Sequence, residues 1–275
     1  MKKTFLLVLT FSTILFLQSC NNDDDNVPSK TLIQTFDVAL KTSNAIPTVA
    51  GRDESGNIKM DLFSDNSLEF TITVNNLASS DALTAAHVHA GDPVTAGVVV
   101  IPLVTGTTGV AFSGSTASGT ITLTSDEIST LQGSDVYVNV HSTESGPGLV
   151  RGQIDKIIDN AYNVELAAAN SIPANGRSEV GNAIFRVIGS TLYYKVTIDN
   201  LDATDAITAG HIHSGASGAT GGVLIDLEMT DTAQLGITKM VGLDNDQLNN
   251  INNDQVYVNL HSTQVPASIV RGQIR

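Results

Sequence analysis

From Ser67 to Val74 the chain reads Ser-Leu-Glu-Phe-Thr-Ile-Thr-Val, polar and apolar side chains in turn. That period of two predicts a half-buried strand. Thr191 to Ile198 alternates in much the same way, and Gly119 to Leu123 predicts another strand. Gly97 to Leu103 and Gly221 to Leu227 are denser in apolar residues and predict more deeply buried strands. Helical signals occur twice. Thr124-Ser125-Asp126-Glu127 has capping-box spacing ahead of Ile128 and Leu131, and Asp244 to Ile251 is its counterpart.

These segments recur because the chain aligns with itself. Phe36 to Leu40 matches Tyr162 to Leu166, and Asn44-Ala45-Ile46-Pro47 matches Asn170-Ser171-Ile172-Pro173. Asn76-Leu77 matches Asn200-Leu201. Val136 to Thr143 matches Val256 to Thr263, and Val150 to Ile154 matches Val270 to Ile274. The reading is two tandem domains, 32–155 and 158–275, of ordinary size. Each has eight or so short strands and one short helix. The expected fold class is all-β, two antiparallel Greek-key sandwiches or barrels of superoxide-dismutase-like or immunoglobulin-like form.

The first residues read differently. Met1-Lys2-Lys3 is basic, Thr4 to Leu17 is apolar, and Leu17-Gln18-Ser19-Cys20 closes a secretory signal over 1–19. Cys20 is the sole cysteine and stands where the lipobox of bacterial lipoproteins, which this segment resembles, carries its lipidated residue. Residues 20–31 include the polar, acidic run Asn21 to Asn26, a linker with no means of packing. The run also resembles the surface-export signal of Bacteroidetes lipoproteins, although a solvated spacer reads the same. The expectation is an exported bacterial lipoprotein held by an N-terminal lipid at the outer membrane, with the cell surface as an alternative. With Cys20 lipidated, the domains have no thiol for a disulfide and must rely on their cores or on metal. Loss of residues 1–19 removes two lysines and no acid, taking the formal charge from −14 to −16. So acidic a body argues against nucleic acid as a partner.

The six histidines fall at equivalent places in the two copies. They are His87, His89 and His141, then His211, His213 and His261. On a strand, i and i+2 share a face about 7 Å apart. His87 and His89 therefore point one way, and Val88 the other, into the core. Val136, Val138 and Val140 likewise share one face, while Tyr137, Asn139 and His141 share the opposite one. If the two strands are neighbours, three imidazoles converge. That is a first shell for copper or zinc, with Asn139, Arg151, Asn259 and Arg271 around it. The competing reading is a polar network in which the histidines hydrogen-bond loop carbonyls and each other, with Arg151 opposing a cation. Ser142 and Ser262, each after a third histidine, read as turn residues rather than nucleophiles. Gly215 to Gly222 lacks the strand–helix setting of a phosphate loop.

Thr84-Ala85-Ala86-His87-Val88-His89-Ala90-Gly91, the Gly-Val-Val-Val strand, Tyr137 to Thr143 and Val150 to Ile154 together resemble the CHRD domain, the module repeated in chordin. The resemblance spans 32–154 and 158–275 and implies a secreted or surface location. Chordin's antagonism of bone morphogenetic proteins does not carry over to a bacterial lipoprotein. A second resemblance is to copper/zinc superoxide dismutases, which have an H-V-H copper strand, a later copper histidine and an anion-guiding arginine. It implies those roles for His87, His89, His141 and Arg151, and for His211, His213, His261 and Arg271. The bridging histidine, the zinc ligands and the disulfide cysteines have no counterpart, so the resemblance implies the barrel and a three-histidine copper site but not dismutase activity. The expected function is an extracytoplasmic binding or adhesion module whose protein or glycan partner the sequence does not name. The alternative is a metal-binding protein, copper rather than zinc, with one three-histidine site per domain. No catalytic residues are assigned.

Overall fold

The computed structural model describes residues 30–275. The leader, Cys20 and nearly all of the acidic linker lie outside them. The first repeat contains β1 (Leu32–Lys41), β2 (Ser55–Phe63), β3 (Ser67–Asn75), β4 (Leu83–Ala90), β5 (Val99–Val104), β6 (Thr116–Thr122), β7 (Val136–Ser142) and β8 (Val150–Gln153). The second contains β9 (Asn160–Ala167), β10 (Val180–Ile188), β11 (Thr191–Asp199), β12 (Ile207–Ser214), β13 (Val223–Asp226), β14 (Lys239–Gly242), β15 (Val256–Ser262) and β16 (Val270–Gln273). Each repeat is one antiparallel eight-stranded sheet. The strand orders are β5-β4-β7-β8-β1-β2-β3-β6 and β13-β12-β15-β16-β9-β10-β11-β14, the same order twice. The links β3–β4 and β5–β6 cross between non-neighbours, as a Greek key requires. The edge strands β5 and β6 approach one another, so the sheet curls around its core. The expected all-β, two-barrel architecture is what forms.

Alternation decides which face is inside. Leu68, Phe70, Ile72 and Val74 of β3 are buried against Val38 and Leu40 of β1 and Ile58, Met60 and Leu62 of β2. Val88 and the trio Val136, Val138 and Val140 join the same core, as their parity predicts. The second repeat builds a separate core on Phe185, Tyr194, Val196, Ile212, Val258 and Leu260. Burying one such side chain contributes about 1.5–3 kcal/mol. The strands meant to begin at Gly97 and Gly221 begin later, at Val99 and Val223. The register slips between Val88 and His89 and again between Ile212 and His213. The residues freed by the slip fold back as a loop over each second histidine.

The helices are α1 (Ser125–Leu131) and α2 (Asn245–Asn253), both where the capping boxes place them. Thr124 Oγ1 accepts from the Glu127 N–H, and the Glu127 carboxylate accepts from the Thr124 N–H at 2.7 Å. Asp244 and Gln247 repeat the arrangement.

The repeats also touch. Arg186 of β10 is fully buried. Its guanidinium donates to the carbonyls of Phe185 and Tyr162, to Asn163 Oδ1, and across the junction to the Asn44 carbonyl at 3.3 Å. Burial, and then Arg151 nearby, push its pKa down to about 9. Asn163 Nδ2 donates to the Ser43 carbonyl, and Thr238 Oγ1 donates to the Asp92 carboxylate at 2.8 Å.

Thr124→Ala removes one orphan-donor partner at the start of α1. It should lower the unfolding free energy by about 1 kcal/mol, read from urea denaturation. An unchanged midpoint would contradict a stabilising cap.

Candidate metal centre

β4 and β7 are hydrogen-bonded neighbours, with His87 opposite Asn139 and His89 opposite Tyr137. The adjacency that the sequence left open is therefore present, and His87, His89 and His141 come together on the face turned away from the core. In each repeat, one ligand-capable nitrogen from each histidine lies within 4.8 Å of the other two. His87 Nδ1 is 3.0 Å from His141 Nε2, and His211 Nδ1 is 3.1 Å from His261 Nε2.

The surrounding carbonyls assign the tautomers. His89 Nδ1 is 2.9 Å from the Gly97 carbonyl, and His141 Nδ1 is 2.8 Å from the Gly146 carbonyl. A carbonyl only accepts, so both Nδ1 atoms carry the proton and both Nε2 atoms keep a lone pair. His141 Nε2 accepts from His87 Nδ1. His89 Nε2 is buried and has no hydrogen-bond partner among the described residues. The second repeat matches: His213 Nδ1 donates to Gly221, His261 Nδ1 donates to Pro266, and His213 Nε2 is buried without a partner. Moving the His87 proton to its other nitrogen would turn three lone pairs, Nδ1, Nε2 and Nε2, toward one point. Bonds from the remote ring nitrogens to backbone carbonyls are how metal-binding histidines are usually oriented. A shared ion about 2.0–2.1 Å from each nitrogen spans at most about 4.2 Å between ligands, and the trio's nitrogens already lie within 4.8 Å of one another.

Burial favours the neutral ring at His87, His89, His211 and His213. Burial, then the neighbouring His141 and His89, push the His87 pKa down to about 4. Burial lowers His89, His211 and His213 as well.

Tyr137 and Tyr257 are the residues whose role sequence reasoning missed. The Tyr137 ring stacks on His89, with centroids 5.0 Å apart and planes 11° apart, and Tyr257 stacks on His213 in the same way. The Gly97 N–H donates to the Tyr137 hydroxyl. Gly97 thus binds the histidine through its carbonyl and the tyrosine through its amide. No larger residue fits there, since a Cβ would lie 1.5 Å from the Ala90 carbonyl oxygen. The signal was available: Tyr137 shares its face with Asn139 and His141 and is itself repeated.

Arg151 sits 3.5 Å over the Tyr137 ring and Arg271 3.5 Å over Tyr257. β7 lies between β4 and β8, so Tyr137 separates Arg151 from His89. The arginine therefore does not stand open to the trio, as an anion guide would. It is 1% exposed, and its guanidinium donates to the Asp92 and Thr95 carbonyls. Gln153 Nε2 donates to the Gly91 carbonyl. Val-Arg-Gly-Gln is thus a clamp that pulls the 91–97 loop over His89. Asn139 and Asn259 touch no histidine by hydrogen bond. Their Nδ2 groups hold the Pro147 and Ala267 carbonyls of the turn beside each third histidine.

A second network went unread. The Asp81 carboxylate accepts from the Thr143 hydroxyl at 2.7 Å, the Glu144 and Ala82 amides, and Arg52 at 2.8 Å. Arg52 also pairs with Glu54. Asp205 repeats this with Thr263, Gln264, Ser262 and Arg177. These carboxylates fix the turn that follows His141 and His261. Arg52-x-Glu54 and Arg177-x-Glu179 are themselves a duplicated pair in the sequence.

Burial pushes the Asp81 carboxyl up, but the hydrogen bonds from Thr143, Glu144, Ser142 and Arg52 outweigh it and hold the group well below the usual range. Asp205 is lowered in the same manner. A depressed carboxylate stabilises the fold above its unfolded value of about 3.9, and the stabilisation disappears as pH falls through the folded value. Stability should therefore drop below about pH 4. Asp81→Asn should flatten that acid limb, measured as the urea midpoint against pH. An acid limb of unchanged slope in Asp81→Asn would contradict the assignment.

No curated protein and no solved structure matches the chain. The CHRD domain model matches residues 36–154 and again 162–274, so each match contains one histidine trio with its tyrosine and its Val-Arg-Gly-Gln clamp. The chain belongs to the CHRD domain family and carries that domain twice in tandem.

Proposed function

We propose that the chain is an exported binding module, held by a lipid on Cys20, whose two CHRD domains each bind one metal ion. The ligands are His87, His89 and His141 in the first domain and His211, His213 and His261 in the second. The observation that carries the reading is the buried, partnerless Nε2 of His89, repeated at His213. A purely structural network would leave both lone pairs desolvated and unused, at about 1–3 kcal/mol each. An ion supplies the missing partner. The donor set is three neutral imidazoles without thiolate or carboxylate, which suits copper or zinc. Among divalent ions copper binds such a set more tightly than zinc. Wider protein or glycan binding fits the same module, but the histidine geometry favours the ion.

Protein loaded with copper, desalted and assayed by mass spectrometry should hold two ions per chain, one for each trio. His89→Ala should leave one, and His89→Ala with His213→Ala none, with the metal-free chain still folded but melting at a lower temperature for want of the bond to the Gly97 carbonyl. Two ions retained by the double variant, or none bound by the parent, would sink the metal reading.

Anchoring is tested separately. Cys20→Ser should move the protein from the membrane fraction to the soluble extract, and unchanged fractionation would remove the lipid assignment. Its support is the sequence of the leader alone.

A further inference from the structure

The Val-Arg-Gly-Gln clamp is complete within repeat 1 and incomplete within repeat 2. Arg151 Nη2 donates to the Asp92 carbonyl at 2.6 Å and to Gln153 Oε1 at 3.3 Å, and Arg151 Nη1 donates to the Thr95 carbonyl at 2.8 Å. Ala216 and Ala219 stand where Asp92 and Thr95 stand in repeat 1. Arg271 Nη2 donates to the Ala216 carbonyl at 3.0 Å, but among the described residues no bond to Ala219 replaces the one to Thr95. Gln273 Oε1 is buried with no partner among the described residues, whereas Gln153 Oε1 has Arg151.

The exchange of Asp92 for Ala216 also removes a charge. Burial pushes the Arg151 pKa down to about 10, with Tyr137 and Asp92 opposing the fall. Burial lowers Arg271 as well, and there Tyr257 opposes it without a carboxylate. Arg271 is nonetheless 3% exposed. A buried cation without a counter-charge is costly unless something else supplies one.

The loop over the clamp differs in bulk too. Pro93 and Val94 are buried in repeat 1, while Ser217 and Gly218 take their places in repeat 2 and are exposed. The smaller residues leave a hollow of about 300 Å³ lined by Ala169, Asn170, Ser217, Gly218, Arg271 and Gln273, with no carboxylate among its walls. Small-molecule sites begin at about that size. The strand order β12-β15-β16 puts Tyr257 between Arg271 and His213, so the hollow is separate from the histidine trio.

We propose that this hollow binds a hydroxy acid, either free or as the uronate end of a glycan. The carboxylate pairs with the Arg271 guanidinium in a charge-assisted hydrogen bond, and a hydroxyl donates to Gln273 Oε1. In repeat 1 the chain itself answers both groups, through Asp92 and Arg151. The protein therefore has one such site.

The test uses the metal-free chain of residues 20–275 with Cys20→Ser, which retains the whole described fold. Without metal the outcome does not depend on what the histidines bind. Titration with lactate should shift the amide NMR signals of Ser217 and Gly218 to saturation, and calorimetry should count one site per chain. Propionate lacks the hydroxyl and lactamide lacks the charge, so each should bind several-fold more weakly. Ala216→Asp restores the residue of repeat 1, and Ser217→Leu fills the hollow from an exposed position. Each should weaken lactate binding several-fold with an unchanged melting curve. Glucuronate binding more tightly than lactate identifies a glycan end, and the reverse identifies a free acid. Absence of saturable shifts with both acids overturns the proposal. So does equal binding of propionate or lactamide, or binding that survives both substitutions.

Discussion

Everything at the histidine trio depends on the hydrogen bond from His89 Nδ1 to the Gly97 carbonyl. It decides which nitrogen of the ring keeps its lone pair and where that lone pair points. The bond exists only because the chain turns back on itself after β4, and the turn is held at several places. Arg151 and Gln153 hold the carbonyls of Gly91, Asp92 and Thr95, and Tyr137 takes the Gly97 amide. The absence of a side chain at 97 lets the loop lie against Ala90. The clamp is built from backbone contacts to rigid strands, so the imidazole is fixed before any ligand arrives. Preorganisation of this kind is what the proposed metal site requires of its ligands.

The energetics point the same way. Hydrogen bonding alone satisfies two of the three histidines, through His87 and His141, and leaves the most buried one incomplete. A fold under selection for stability alone would have a simple remedy at position 89, an apolar residue of similar size. Both copies instead keep a buried polar atom that no group among the described residues answers. Burial lowers the pKa of His87 and His89 and so keeps these two rings neutral near pH 7, with lone pairs available rather than protonated. The net charge of −14 adds a weak attraction for cations over the whole body.

Much of this was legible in the chain because it rests on short-range patterns. Strand parity placed Val88 in the core and both flanking histidines outside, and the capping boxes placed α1 and α2. The duplication marked the trio. What was not legible depends on the register between strands. The slip at Val88 and His89 turned the start of an expected strand, Gly97, into the hub of a loop. The charge of Arg151 does oppose a cation at His89, as the sequence implies, but it acts across the Tyr137 ring, which only the order β4-β7-β8 reveals. Asp81 and Arg52 are far from His141 in sequence and act on it through the turn at Thr143.

The two copies keep the same donors and differ in what braces them. In repeat 1 the loop over His89 is held by two arginine hydrogen bonds from Arg151, and from outside by Thr238 on Asp92. In repeat 2, Arg271 donates to the Ala216 carbonyl, and no aspartate stands where Asp92 stands in repeat 1. Ring geometry is nevertheless the same within about 0.1 Å and 10°. The constant part is therefore the donor triangle, with the stacked tyrosine and the glycine carbonyl behind it, and the variable part is how firmly the covering loop is held. For a structural network the reverse would be expected, since stability resides in the bracing and is indifferent to where an unused lone pair points. Repetition of the orphaned nitrogen, despite divergence around it, is what favours the proposed ion over a purely structural network.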